Sequence, residues 1–390
     1  MIIGIDGNEA NVKYRVGVNT YAYELIRNLW KLQDEWKVED SLIIYLKEKP
    51  LPDMPEETAN FRYKIIPGGG MWILKKLMPS LIFGKPKPNV FFSPSHYLPP
   101  VTTMPTVCSI MDLGYLEYSG QFTKKDFWQL KLWTAISIFV SKAVIAISNS
   151  TKNDIVRHYP LASDKTRVTH LAYDHSQFNL DIPDKDVRRV KSKYSIVDDY
   201  ILYIGTLKPS KNIEGLLTAF QAVITNYQLP ITKNIKLVIA GKKGWMFDSI
   251  FKKVENLDLA KRVIFTDFIP EEDKAGLVKG ARVFVLPSFW EGFGLDVLNA
   301  MASGVPAVVS DVGSLPEVVG DAGILVDPKS TTSIARGIAQ VLSMGNLEYN
   351  SMVKRGVLQA KKFSWEKTAR ETLKIIKDVH HQQVAKHFIK

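Results

Sequence analysis

Short apolar runs alternate along this 390-residue chain with longer stretches in which apolar residues recur every third or fourth position. Runs at 2–6, 42–46, 63–66, 89–92, 106–110 and 143–147 read as strands of a first half, and runs at 200–205, 236–241, 263–266, 282–286, 307–310 and 324–326 as strands of a second. Their apolar residues are mostly consecutive rather than alternate, as in strands of a parallel sheet covered on both faces. The intervening segments supply the covering helices: in 18–32, Tyr21, Leu25, Leu29 and Leu32 stand at helical spacing. The expected fold class is α/β, with Rossmann-like domains over 1–180 and 198–363 and a last helix over 364–390. Residues 179–197 are charged, show little core pattern, and read as the irregular passage between the two.

The most informative stretch is 289–306, Phe-Trp-Glu-Gly-Phe-Gly-Leu-Asp-Val-Leu-Asn-Ala-Met-Ala-Ser-Gly-Val-Pro. A strand before it stops at Pro287, Gly292 and Gly294 make a loop, Leu295 to Met301 reads as a helix that stops near Gly304, and a strand follows at 307–310. In such doubly wound units ligands sit beyond the carboxyl ends of the strands, and the unpaired N–H groups of a helix N-terminus favour a phosphate. Glu291 stands in the mouth of that loop and Asn299 one turn into the helix. A similar loop follows the strand ending at Gly205, where Lys208 and Lys211 precede a helix that begins after Asn212; a lysine there can reach a diphosphate.

Composition narrows the function classes. Hydrophobic residues make up 46% and charged residues 23%, as in a globular protein. Cys108 is the only cysteine, which excludes an internal disulfide and suits a reducing compartment. The apolar start breaks at Asp6 and Gly7, so it reads as a strand rather than a signal peptide, and the expected location is cytoplasmic. No run approaches the ~20 apolar residues of a membrane span. The net charge of +11 favours an anionic partner. Its lysines are scattered rather than striped, which argues against nucleic acid. Residues 71–83, with Lys75 and Lys76 among apolar neighbours and Pro79 interrupting, read as a core helix, with docking on the inner face of a membrane as the other reading. No Asp, Glu, His or Cys set has metal-ligand spacing.

These motifs, in this order, resemble the retaining GT-B glycosyltransferases of family 4, over essentially the whole chain. In that family a Glu, a Gly-Phe-Gly loop and a second Glu eight positions later bind a nucleotide-sugar. The resemblance implies two Rossmann-like domains facing a cleft, with the C-terminal helix, opened here by Phe-Ser-Trp-Glu at 363–366, crossing back to the N-terminal domain. It implies donor contacts from Gly17, Gly205, Lys211, Asp267, Gly292, Phe293, Gly294, Leu295 and Asn299. Glu291 would orient the donor sugar, and Asp112, in Met-Asp-Leu-Gly at 111–114, would serve the sugar face or the acceptor. The implied reaction is transfer of a mannose- or glucose-type sugar, with retention, from a nucleoside-diphosphate sugar to a glycan or lipid-linked acceptor, without metal or other cofactor. The chain departs from the pattern at Met111 for His, with His96 as a candidate substitute, at Ser210 for Arg, at Asp296 for Pro and at Asn299 for Glu. The departures at Met111, Ser210 and Asn299 motivate a second reading, a GT-B protein that binds a nucleotide or glycan without transferring sugar.

Overall fold

The apolar runs become two all-parallel sheets in the computed structural model, which describes residues 1–36, 40–118, 120, 123–227 and 229–388. One unit comprises Met1–Leu171 with Trp365–Lys390, the other Ala172–Ser364.

The first unit holds β1 (Ile2–Asp6), β2 (Ser41–Leu46), β3 (Phe61–Ile65), β4 (Val90–Ser93), β5 (Thr106–Ile110), β6 (Ala143–Ala146) and β7 (Thr166–Val168). Their order across the sheet is β3-β2-β1-β4-β5-β6-β7. Ile3 is paired with Leu42 on one side and Val90 on the other. One face packs Tyr45, Phe91, Cys108 and Val144 beneath Trp72, Leu77 and Leu81 and beneath Ile138. Burying each such side chain contributes ~1.5–3 kcal/mol. The C-terminal helix Trp365–Phe388 belongs to this unit: Trp365 lies 6.4 Å from the Tyr21 ring, Thr368 Oγ1 donates to the His170 carbonyl at 2.6 Å, and Arg370 clasps Glu35 with two bonds of 2.5 and 2.6 Å.

The second unit holds β8 (Tyr200–Ile204), β9 (Lys236–Ala240), β10 (Val263–Asp267), β11 (Val283–Leu286), β12 (Ala307–Ser310) and β13 (Ile324–Val326), in the order β10-β9-β8-β11-β12-β13. The chain winds outward from β8 through β9 to β10 on one side and from β11 through β12 to β13 on the other. The loops after β8 and β11 therefore part in opposite directions and leave a crevice at the carboxyl ends, where doubly wound sheets bind ligands. In the first unit the corresponding point lies between β1 and β4.

Two expectations need correction. Residues 179–197 are not irregular: Asp184–Lys193 is a helix, with Val190 buried. Only its two valines are apolar, so its sequence reads as a charged passage. It is held by a close approach to the helix Glu271–Lys279, where a Cβ on Gly276 would lie 3.0 Å from the Asp186 carbonyl and from Val190. It is also held by Asp273, fully buried, which accepts from Arg189 at 2.6 Å, from Tyr194 at 3.0 Å and from Lys193. Nor does Pro79 interrupt its helix. A wide turn over Ile73–Leu77 runs into Met78–Phe83, and Pro79 stands in the first turn of the latter, where its missing N–H costs nothing.

Burial alone would raise the Asp273 pKa, but hydrogen bonds from Lys193, Arg189 and Tyr194 outweigh it and hold it below the ordinary value of 3.8. A carboxyl with a lower pKa folded than unfolded contributes stability above its unfolded pKa and loses it as pH falls through the folded one. Asp273→Ala should therefore cost about 3 kcal/mol at neutral pH. The gap in melting temperature between wild type and Asp273→Asn should narrow as the pH is lowered below 3.8; a gap unchanged from neutral to acid pH would contradict this account.

Candidate active site

The loops that meet at the crevice between β8 and β11 are tied to each other by backbone and side-chain bonds. After β8 a tight turn, Pro209–Lys211, ends at Asn212, whose backbone is left-handed (φ 54°). The buried Asn212 amide donates to the carbonyls of Pro287 at 3.0 Å and Pro328 at 2.7 Å, and Phe289 N–H donates to the Ser210 carbonyl at 2.9 Å. The loop after β12 closes the other side. Ser314 donates to the Glu291 carbonyl through its N–H at 3.2 Å and its hydroxyl at 3.0 Å. Gly313 (φ 60°) permits this approach, since a Cβ there would stand 2.6 Å from that carbonyl.

This scaffold brings Lys211 and Glu291 together. Lys211 Nζ donates to Glu291 Oε1 at 2.5 Å, with both side chains largely shielded, 17% and 12% exposed. Ser288, fully buried, donates its hydroxyl to the same oxygen at 2.8 Å. Among the described residues every side-chain donor to Glu291 falls on Oε1, which leaves Oε2 for a ligand. Two donors on one carboxylate oxygen fix its rotamer, and the ammonium makes one bond charge-assisted.

Just beyond Glu291, Gly294 adopts φ 98° at the start of the helix Leu295–Ala302, a conformation that favours glycine, and no side chain caps that end. Gly292 precedes it in the same loop. Phe293, expected among the donor contacts, is buried with its ring 5.8 Å from Phe363 and anchors the loop from below. Asn299 is buried, and its amide donates to Asp296 Oδ1 at 3.1 Å. The same oxygen meets Lys274 Nζ at 2.8 Å. Burial pulls the Lys274 pKa down, but the carboxylates of Asp296 and Glu271 outweigh it and the pKa is raised, so the ammonium is retained.

The remaining residues singled out from sequence stand as follows. Gly205 and Gly241, ending β8 and β9, pass so closely that a Cβ on Gly241 would lie 2.0 Å from the Gly205 carbonyl. Asp267, exposed at the end of β10, has left-handed φ 56° at a shift in strand register, and its carbonyl accepts from Gly241 N–H at 2.9 Å. Lys208 lies over the Trp245 ring at 4.9 Å. In the first unit, Gly17 (φ 53°) opens the helix Val18–Lys31, with nothing within 4 Å of where its Cβ would be. Arg15, in the basic loop before that helix, forms a two-bond pair with Asp53 at 2.5 and 3.0 Å and stacks on Tyr23 at 3.8 Å. Asp112, exposed beyond β5, accepts from Gly114 N–H at 2.9 Å. His96 follows the neighbouring β4; burial pulls its pKa down to about 4, so the ring is neutral at pH 7. Sequence reasoning missed Ser288, Ser314 and Lys274. Ser288 and Ser314 are single hydroxyls beside strand ends, and Lys274 is one lysine of a charged helix, so none carries a spacing that marks it.

Residues 184–357 match the model of the family glycosyl transferases group 1. Over 294 residues the chain is 33% identical to the O-antigen chain mannosyltransferase B of Escherichia coli, spanning 75% of this chain and 74% of that protein. The chain belongs to the glycosyl transferases group 1 family. It is also 34% identical, over 71% of its length and 70% of the relative's, to the uncharacterized glycosyltransferase MJ1607 of Methanocaldococcus jannaschii. Among solved structures it resembles Anabaena HepE in complex with UDP and glucose, with a TM-score of 0.74 at 15% identity over 96% of this chain and 99% of that one. The fold is GT-B, and the protein is a glycosyltransferase. The family match runs from the start of the helix Asp184–Lys193 into the helix Asn346–Ala360, and so includes both loops that supply Lys211 and Glu291.

Replacing Gly294 by Ala forces a side chain into left-handed backbone and brings its Cβ within 2.8 Å of Leu315. The cost should be about 1–3 kcal/mol, visible as a lowered melting temperature. An unchanged melting temperature would mean that the loop relaxes and that its conformation is not what positions Glu291.

Proposed function

We propose that the protein is a retaining, metal-independent mannosyltransferase that takes its sugar from a nucleoside-diphosphate donor and passes it to a glycan or lipid-linked acceptor. The observation that carries the reading is the Lys211–Glu291 pair at the β8/β11 crevice, beside an uncapped helix N-terminus. The mannosyl choice rests on the names of relatives, O-antigen chain mannosyltransferase B above all. A nucleotide donor is supported by the UDP in the structure of HepE, which shares this fold.

The chemistry follows from the donors on hand. As the bond from the anomeric carbon to the diphosphate oxygen breaks, negative charge grows on the leaving phosphate. Lys211 and the N–H groups at Leu295 are fixed donors for that charge, and stabilisation of this kind is usually the largest catalytic term. Glu291 Oε2 accepts from a hydroxyl of the donor sugar and sets its orientation. The acceptor oxygen bonds to the anomeric carbon on the face the diphosphate leaves, and its proton passes to the departing phosphate oxygen, so no separate protein base is required. Asp112 serves the acceptor or sugar face. The carboxylate of Asp296, oriented by Lys274 and Asn299, takes over the ribose hydroxyl that the family's second Glu would accept.

Thermal melting with UDP-, GDP-, ADP- and dTDP-sugars, with and without EDTA, tests the reading. One nucleotide should raise the melting temperature, and EDTA should leave that rise unchanged; binding at a hundred times Kd stabilises by about 2.7 kcal/mol. With that donor and a glycan acceptor, Lys211→Ala and Glu291→Gln should each lower kcat by about 100- to 1000-fold. A donor-induced shift without sugar transfer to any acceptor would favour a binding protein instead. Loss of the shift in EDTA would refute metal independence.

A further inference from the structure

The helix Lys124–Val140 of the first unit is apolar on the side that faces solvent as well as on the side that faces the sheet. Ile138 and Ser137 are turned into the core, and Ser137 donates to the His96 carbonyl at 2.6 Å. On the opposite side Trp128, Leu132 and Phe139 are 61%, 60% and 80% exposed. At ~100° per residue these three fall within about 40° of one another, so they form one stripe rather than scattered exposures. The stripe is bordered by lysines: Lys124, Lys125 and Lys131 are all exposed, and Lys131 Nζ sits 5.0 Å from the Trp128 ring centre.

The surroundings on this face of the sheet have the same character. The segment Met78–Phe83 covers the same layer of core, and Phe83 is 81% exposed. From residue 71 to residue 167, which spans every element covering this face, there are twelve Lys or Arg against five Asp or Glu. This span thus carries a net +7 of the chain's +11. A solvent-facing row of Trp, Leu and Phe has no role in folding, since the helix already buries its other side. Exposed apolar stripes of this kind mark contact surfaces.

We propose that the outer face of the helix Lys124–Val140 docks the protein on an anionic lipid bilayer. Trp128, Leu132 and Phe139 enter the interfacial layer of the membrane, and Lys124, Lys125 and Lys131 pair with acidic headgroups at its level. The charge selects this occupant. A second copy of the chain would bring the stripe against itself and set the same lysines opposite one another, whereas an anionic surface complements them. The surface lies on a different helix from residues 71–83, the segment whose sequence suggested docking, and the inference does not depend on the identity of the sugar donor.

Flotation of the full-length protein with vesicles tests it, using phosphatidylcholine alone and phosphatidylcholine mixed equally with phosphatidylglycerol. The wild type should float with the anionic vesicles and not the neutral ones, and should detach at about 1 M salt, where the screening length falls to ~3 Å. Trp128→Ser/Leu132→Ser/Phe139→Ser and, separately, Lys124→Glu/Lys125→Glu/Lys131→Glu should each lower the bound fraction at least tenfold. Both should keep the wild-type melting temperature and donor-induced shift, which separates lost docking from lost folding. Failure of the wild type to float, or flotation of the lysine variant at the wild-type level, would overturn the proposal. So would a wild-type dimer on size exclusion that the Trp128, Leu132 and Phe139 substitutions disperse, since the stripe would then be a contact between copies.

Discussion

A lysine and a glutamate that hold each other at the carboxyl end of a parallel sheet are the constraint on which the rest of the second unit depends. Lys211 comes from the loop after β8 and Glu291 from the loop after β11, eighty positions later. They meet because the winding of the sheet reverses between those strands, and because the Asn212 side-chain amide, the Phe289 N–H and the N–H and hydroxyl of Ser314 bond across the loops, with Gly313 permitting the close approach. Partly desolvating two opposite charges is costly unless their hydrogen bonds are well made. Ser288 supplies an additional bond to the same carboxylate oxygen. Among the described residues the arrangement leaves Glu291 Oε2 without a side-chain donor.

Two of the departures from the family pattern, Asp296 and Asn299, are connected to each other. Asp296 and Asn299 occupy the first turns of the helix Leu295–Ala302, and Lys274 reaches Asp296 from a neighbouring helix. A carboxylate near a helix N-terminus is stabilised by the helix dipole but also competes with an incoming phosphate for it. The ammonium of Lys274 offsets that negative charge. Asn299 thus reads as a partner of Asp296 more than as a weakened version of an absent Glu.

Much of this was legible in the sequence because strand ends and glycine turns leave local marks. The apolar runs located twelve of the thirteen strands among the described residues to within one or two residues at most ends, and Gly294, Lys211 and Glu291 stood at loops beside those strand ends; β7, three residues with a single apolar position, has no such run and was missed. What was not legible depends on contacts between distant segments. The helix Asp184–Lys193 has almost no apolar face, and its partner Asp273 is eighty positions away from Lys193. Nothing local to Arg15 marks its pairing with Asp53, thirty-eight positions away. Phe293 sits in a ligand-binding motif, yet its side chain belongs to the core beside Phe363. The outward stripe on the helix Lys124–Val140 was hidden for the opposite reason: a helix apolar on both sides has no periodicity to distinguish its two faces.

The most direct test of the central claim is a double-mutant cycle on donor affinity, measured by calorimetry for wild type, Lys211→Ala, Glu291→Ala and the double variant. If the two residues act as one preorganised unit, each single change should weaken donor binding and the double variant should bind little worse than either single one, a coupling well beyond the ~0.5 kcal/mol expected of independent sites. Strictly additive losses, or single variants that bind the donor as the wild type does, would show that the pair is a structural clamp and that the donor is held elsewhere.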